Sequence, residues 1–507
     1  MNQLKAGAAL NYTVIVLDIL VGLLYTPFLL RILGQSDYGI YSLVASVISY
    51  LTILDLGFGN AIIRYTAKFR AEGKIREQYE LFGMFLILYT IIGMISMALG
   101  YVLYTHVDAW FGHTMTMEEM EKTRTMLLLL IFNLSFTFPM SVFGAIIQAY
   151  ERFVFPKVVN ILRILLNTGI MILLLELGYR VVAMVVLQTI FNFLTLICNF
   201  YYCRYKLRIK IWFHNFQWGF LKEVSTYSFW IFLGVILDRI YWNTGQFVLA
   251  VYVNTATVAV FAIAVQLCIM YMSFSTSISG VFLPKVTGMV ACNDNREEIS
   301  SLFIRTGRIQ YIVMALVLSG FIVFGHDFIR LWAGNGYEDA YTIALLFFIV
   351  LTMPMIQNLG VTILQARNQM KFRALVYLGI GAVSLFFQLL LSKHYGAIGC
   401  TVAIVGALLA GQGIVINLYY HFRQGLDIIA FWKEIAKMSV VPVLMCVVSK
   451  LLLRHFSLDN WQSLGTGIFI FLIVYIPLFF RFGMNRYEVN LFLAPLRKVK
   501  EYLKRLR

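Results

Sequence analysis

The sequence predicts an all-α polytopic membrane protein with about fourteen transmembrane helices, and three observations lead there. Of 507 residues, 60% are hydrophobic and only 13% charged, with a mean hydropathy of +0.80, outside the range of soluble domains. The apolar residues gather into fourteen stretches, most of them near the roughly 20 residues that cross a bilayer as helix. The loops between the stretches are rich in Lys and Arg only in alternate positions, as a chain threading a membrane requires.

In order, the stretches are 8–31, 40–62, 81–104, 126–148, 157–176, 180–202, 226–252, 257–283, 309–332, 340–364, 372–392, 396–420, 437–454 and 462–480. The amino end, the loops beginning with Arg64–Arg76 and every second loop after it, and the carboxyl tail hold 31 of the 41 Lys and Arg. The remaining loops hold 8, and Arg163 and Arg239 lie inside stretches. An even number of crossings then places both termini on the basic, cytoplasmic side. The first run is too long for a cleaved leader and lacks a small-residue cleavage site, so it is expected to remain as the first crossing. The net charge of +16 reads as a topology signal with a membrane-surface component, and no nucleic-acid partner is expected. Lys206, Arg208, Lys210, Trp212 and Trp218 interleave cations with aromatics, as an interfacial helix in a cytoplasmic loop does. In the tail, Phe492, Leu496, Val499, Leu503 and Leu506 share one helical face, with Arg and Lys around them, a pattern suited to an anionic leaflet.

The six cysteines are scattered and form no CxxC pair, so neither a disulfide nor a metal site is expected. The chain carries no phosphate-binding G-x-x-x-x-G-K-[ST] loop and no H-E-x-x-H, so no cofactor is expected and ATP does not drive it directly.

An internal repeat organises the stretches. Val16–Leu20 is matched by Ile236–Ile240, and Gly39–Leu43 by Ala259–Ile263, both 220 positions later. Pro139-Met140 with Gly144 and Gln148-Ala149 recurs as Pro354-Met355 with Gly360 and Gln365-Ala366. Each copy holds six crossings, an even number, so the copies keep the same orientation and form a parallel repeat. The expected domains are an N-lobe at 1–206, a linker with an interfacial helix at 207–225, a C-lobe at 226–424, and two further helices with the tail at 425–507.

Polar residues recur at helical spacing in many of the first twelve stretches. Examples are Asn133, Thr137, Ser141, Gly144 and Gln148; Asn160, Arg163 and Asn167; Gln188, Asn192, Thr195 and Asn199; and Gly381, Ser384, Gln388 and Ser392. In a bilayer such faces turn inward, toward other helices or toward water, so single stripes can be helix-helix glue while their number predicts a hydrated lumen between the lobes. Asp18, Asp55, Arg163, Asp238 and Arg239 add ionised groups, each costing about 2.5–3.5 kcal/mol at mid-bilayer on insertion scales. Arg239, Asn243 and Gln246 share a face of the seventh stretch, and Asp18 shares one with Asn11 and Tyr25. Two readings stand side by side. The arginines could hold an anionic headgroup and the aspartates a coupling proton or sodium ion; alternatively, each charge pairs with another and only packs. Tyr241 and Trp242 could stack on sugars or simply pack.

Arg31-Ile32-Leu33-Gly34-Gln35-Ser36-Asp37-Tyr38-Gly39-Ile40-Tyr41, and Leu54–Ala61 through Arg64-Tyr65, resemble the amino-terminal signature of Wzx-type polysaccharide, or O-antigen, flippases. Phe282–Val286, Phe328–Trp332 and Tyr395–Gly399 are similar to later segments of the same family. The resemblance implies the multidrug/oligosaccharidyl-lipid/polysaccharide exporter superfamily and a fold of the MATE and MurJ type: two pseudo-symmetric six-helix lobes plus two carboxyl-terminal helices. It implies no catalysis. The cargo would be an undecaprenyl-diphosphate-linked oligosaccharide, moved from the inner to the outer leaflet of the bacterial plasma membrane by alternating access, for O-antigen, capsule or exopolysaccharide. Arg163, Arg239, Asn243 and Gln246 would then bind diphosphate or sugar. Asp18, Asp238 and Asp55 would be coupling or cavity acids, and Arg64 and Lys285 would stand at the cytoplasmic rim. Membrane lipids and other polysaccharide-assembly membrane proteins are the implied partners. The alternatives are a MATE-type multidrug or cation antiporter and a membrane enzyme of polysaccharide assembly.

Overall fold

The predicted stretches that fall within the described residues are helical, with one break in the second. The computed structural model describes residues 3–213, 239–279, 295–367, 369–454 and 458–491, with isolated positions between them, and no strand occurs among these. Eleven described helices are long and apolar enough to cross a membrane. They take up every predicted stretch except 226–252, of which the described part, 239–252, is also helical. Two of the eleven, Thr13–Ala71 and Met370–Phe422, each carry a pair of stretches. Each bends at a glycine in the turn between its two stretches: Gly34 (φ 76°, ψ 179°) and Gly396 (φ 54°, ψ −137°). A side chain disfavours positive φ, and glycine here allows a turn with almost no loop.

The helices in chain order are α1 (Gln3–Leu51), α2 (Phe58–Ala71), α3 (Ile75–Thr105), α4 (Val107–Phe111), α5 (Met117–Ala149), α6 (Val154–Glu176) and α7 (Val181–Tyr201). They continue with α8 (239–252), α9 (Thr255–Ser279), α10 (Arg296–Ala333), α11 (Asp339–Ile356) and α12 (Asn358–Ala366). The last are α13 (Met370–Leu408), α14 (Asn417–Phe422), α15 (Ile428–Leu453) and α16 (Trp461–Leu478). The chain divides into two compact units: 1–262 with 388–400, and 263–387 with 401–507.

In the first unit α5 is the hub, packing against α1, α2, α3 and α7. Its core joins Phe58, Ile62 and Tyr65 of α2 with Phe82, Phe85 and Tyr89 of α3 and Phe138, Val142 and Ile146 of α5. The second stretch is not one continuous helix. A tight 3-10 turn, Thr52–Asp55, is followed by Leu56 and Gly57 in left-handed conformations before α2 begins. After α7, residues 207–213 run as irregular chain, with Trp212 donating its backbone N–H to the Tyr79 carbonyl at 3.1 Å and its ring edge-on to Tyr79. The rest of the expected interfacial helix, and the tail from Leu496 onward, lie outside the described residues.

In the second unit α10 is the hub, against α11, α15 and α16. The thirteenth and fourteenth stretches are fastened to it by polar contacts: Tyr311 with Ser439 at 2.5 Å, and Arg330 with Asp459 at 2.9 Å. The face of α16 formed by Leu464, Phe471 and Tyr475 is buried, while Phe469, Ile470, Ile473 and Val474 are exposed, as a lipid-facing helix requires. Tyr89 donates to Asp55 at 2.6 Å in the first unit; 220 and 221 positions on, Gln310 donates to Ser275 at 3.0 Å in the second.

Arg308 lies in the first half of α10 and is buried there. It meets Glu488 bidentately at 2.5 and 2.9 Å and Glu434 at 2.5 Å. Glu488 is 1% exposed and Glu434 is 33% exposed, so the two carboxylates should differ in weight. Glu488→Ala is expected to cost about 3–5 kcal/mol, because it strips a buried guanidinium of its main partner. Glu434→Ala should cost about 1 kcal/mol or less. Thermal unfolding of the two variants in detergent checks the order; equal losses would contradict it.

Candidate functional site

A polar seam runs between α1 and α6, which pack side by side and rise in the same direction, as the first and fifth crossings must. Near its beginning the Val154 N–H meets the Gln3 side chain at 3.4 Å. Further along, Lys157 donates to Asn11 at 2.6 Å. Beyond that, Arg163 interacts electrostatically with Asp18 and donates to Asn160 at 2.9 Å. Asp18 and Arg163 are both exposed, on faces a bilayer would otherwise penalise. Thus one candidate acid and one candidate cation stand on neighbouring helices of a single unit, close enough to feel each other's charge without a direct ion pair. Arg163 keeps donor capacity beyond these contacts, since a guanidinium carries five N–H groups in a fork that suits phosphate.

Arg239, Asn243 and Gln246 lie on one face of α8, all half-buried. The Arg239 Nε is buried without a hydrogen-bond partner among the described residues. Asp238 and Lys285 lie outside the described residues. Tyr241 is buried, which leaves its ring faces to packing neighbours rather than to a sugar.

Asp55 sits elsewhere. Its carboxylate takes the Tyr89 hydroxyl at 2.6 Å and the Gly57 N–H, satisfying the broken backbone between α1 and α2 and tying it to α3. Arg64 is exposed on α2, its guanidinium 5.7 Å from the Tyr65 ring centroid.

Several polar stripes are consumed by helix packing. Asn192 of α7 donates to Asn133 at 2.6 Å and to Thr137 at 2.7 Å, both on α5. Ser141 donates to the Phe138 carbonyl at 2.7 Å within α5, and Gly144 faces Asn199. Gln388 and Ser392 are fully buried, with Gln388 accepting from the Cys400 thiol at 3.5 Å. Periodicity alone could not separate these from the α1–α6 seam, because both put polar groups on one helical face. Sequence reading also passes over Arg308, which falls in a loop between predicted stretches, and Glu119. The capping motif Thr116-x-x-Glu119 is legible in the sequence, but its distant partners are not.

The arrangement defines a helical membrane protein with charged groups placed within its crossings, and comparison with solved structures places the fold. The chain is similar to the lipid II flippase MurJ in an inward closed conformation, with a TM-score of 0.70 and 17% identity, covering 97% of this chain and 99% of that one. It is also similar to an inward-facing multidrug resistance MATE family transporter of the MOP superfamily, with a TM-score of 0.61 and 16% identity, over 82% and 99% of the two chains. Among curated proteins, the uncharacterized membrane protein EpsK of Bacillus subtilis (strain 168) is 22% identical over 515 residues, 97% of each chain. The family described as polysaccharide biosynthesis protein matches residues 4–290, and the chain belongs to that family. The resemblance read from the sequence and the MATE/MurJ-type helical fold are both borne out.

The α5–α7 contact yields a prediction. If Asn192 is packing glue, Asn192→Leu should lower stability by about 0.6–1.7 kcal/mol and leave transport unchanged. Thermal unfolding and a transport assay on the same preparation test this; lost transport at unchanged stability would return Asn192 to the functional set.

Proposed function

We propose that this chain is a flippase for a lipid-linked oligosaccharide, carrying an undecaprenyl-diphosphate-linked sugar from the inner to the outer leaflet of the bacterial plasma membrane. The observation that carries the reading beyond the family is Arg163, exposed on a membrane-crossing helix with donors to spare and with Asp18 exposed on the neighbouring crossing. A guanidinium binds a diphosphate bidentately and stays charged throughout. Asp18 competes with the cargo for Arg163, so neutralising Asp18 with a proton or sodium ion would free the guanidinium for phosphate. Arg239, with Asn243 and Gln246 on the same face, supplies a second cation with polar neighbours. That a solved neighbour of this fold is a lipid II flippase supports a lipid-linked cargo. A MATE-type drug antiporter is less favoured, because a cationic drug would be repelled by two arginines. Alternating access, a cytoplasmic position for both termini and rim roles for Arg64 and Lys285 belong to the same proposal.

Deleting the gene should accumulate lipid-linked oligosaccharide on the inner leaflet and remove surface polysaccharide, both restored by the wild-type copy. Normal leaflet distribution and normal polymer, in a host with no second flippase, would overturn the cargo. Arg163→Ala should reduce transport by about ten- to a hundredfold, the value of a charge-assisted bond. Arg163→Lys should recover part of it, and Asp18→Asn should change the dependence on pH or sodium. Wild-type rates in a normally inserted Arg163→Ala protein would exclude the headgroup role.

A further inference from the structure

One carboxylate ties together three parts of the first unit that are remote in sequence. Glu119, in the first turn of α5, presents its two oxygens to different partners. Oε2 accepts from the Thr116 N–H at 2.8 Å and from the Thr116 hydroxyl at 3.2 Å, and the Thr116 hydroxyl accepts from the Glu119 N–H at 3.3 Å. That reciprocal set is a capping box and it uses only one carboxylate oxygen. The other oxygen, Oε1, accepts from the Ser36 hydroxyl, beside the Gly34 bend of α1, and from the Thr255 hydroxyl, at the start of α9, at 2.7 Å. Ser36 belongs to the first copy of the repeat and Thr255 to the second.

The same end is closed by neighbouring contacts. Gly39 of α1 lies so close to the turn before α9 that a Cβ there would overlap the Thr255 carbonyl oxygen. Thr114 donates to the Ala250 carbonyl at 2.6 Å, and Trp110 and Phe111 both meet Phe247 edge-on with ring centroids 5.7 Å apart. Deeper in the crossings, away from this end, Tyr50 and Thr244 are joined by their hydroxyls. Lys122, one turn beyond Glu119, holds Asp37 at 2.9 Å. By the charge rule, the turns carrying Ser36, Glu119 and Thr255 all lie on the side away from the termini.

We propose that Glu119 is a positioning residue that latches this extracytoplasmic end shut, and that Oε1 must release Ser36 and Thr255 before the end can open. Capping requires Oε2 alone, so the second set of bonds answers to the closed arrangement rather than to helix stability. Hydroxyl-to-carboxylate bonds at a half-buried position suit a latch, because water can replace each partner when they part. The inference rests on alternating access as proposed above, but not on the identity of the cargo.

The test uses the full chain with its six cysteines replaced, in right-side-out vesicles. A reporter, Gln246→Cys on α8, is labelled with a membrane-impermeant maleimide. Combining Ser36→Ala with Thr255→Val, which removes the hydroxyls and keeps the shapes, should raise labelling from outside by about tenfold. Thr116→Ala, which damages the cap only, should leave labelling near the starting rate. Ser36→Cys with Thr255→Cys, joined by a short bifunctional thiol reagent with a reducible spacer, should stop labelling in the reporter background, and transport in a protein that keeps Gln246, until reduced. Transport at the full rate in the cross-linked protein, or equal labelling in the Thr116→Ala and hydroxyl-free variants, would overturn the latch while leaving the cargo reading intact. A latch that controls labelling in a protein that moves no lipid-linked sugar would overturn the cargo alone.

Discussion

Hydrocarbon offers no hydrogen bonds, so every polar group within the crossings must find its partner in the protein or in enclosed water. The rest of the structure depends on that constraint. It explains why the breaks in the helices are capped so closely. Asp55 and Tyr89 cover the interruption between α1 and α2. In the second unit, Asn417 donates to the Gln412 and Gly413 carbonyls where the helix loosens into a wide π-helical turn, and its own oxygen receives Gln357 and Trp432. Polar side chains do two jobs under this rule, closing the fold or serving the cargo, and only their partners tell which.

The same constraint divides the charged residues. Arg308 is sheathed by two carboxylates and a carbonyl, a structural role achieved by saturation. Among the described residues Arg163 meets Asn160, with Asp18 near by on an exposed face. A saturated guanidinium has nothing left to offer a ligand; an undersaturated one does. The difference is set by neighbours 180 positions away in one case and on adjacent helices in the other.

Helical class, the positions of the crossings and the family were legible in the sequence because each depends on local composition or on short motifs. Gly34 and Gly396 could be seen as turn residues, but their merging of two crossings into one bent helix depends on backbone angles that composition does not encode. The candidate site was legible in part. Asp18 and Arg163 stood out as charges in apolar runs, and their association required knowing that α1 and α6 pack together. Asp55 stood out equally, yet its partner Tyr89 looks like any other aromatic in a membrane helix. The Asn133, Thr137 and Asn192 stripes were misleading for the same reason: periodicity gives the face, not what the face touches.

The Arg308–Glu488 pair bears on how the molecule is made. Synthesis delivers Arg308 to the membrane long before Glu488 exists, since Glu488 follows it by 180 positions. Glu434 is made earlier, 126 positions after Arg308, but until Glu488 follows the guanidinium lacks its most buried carboxylate. The site around Arg308 is therefore complete only once Glu488 has been added, so this unit closes around its cation late in synthesis.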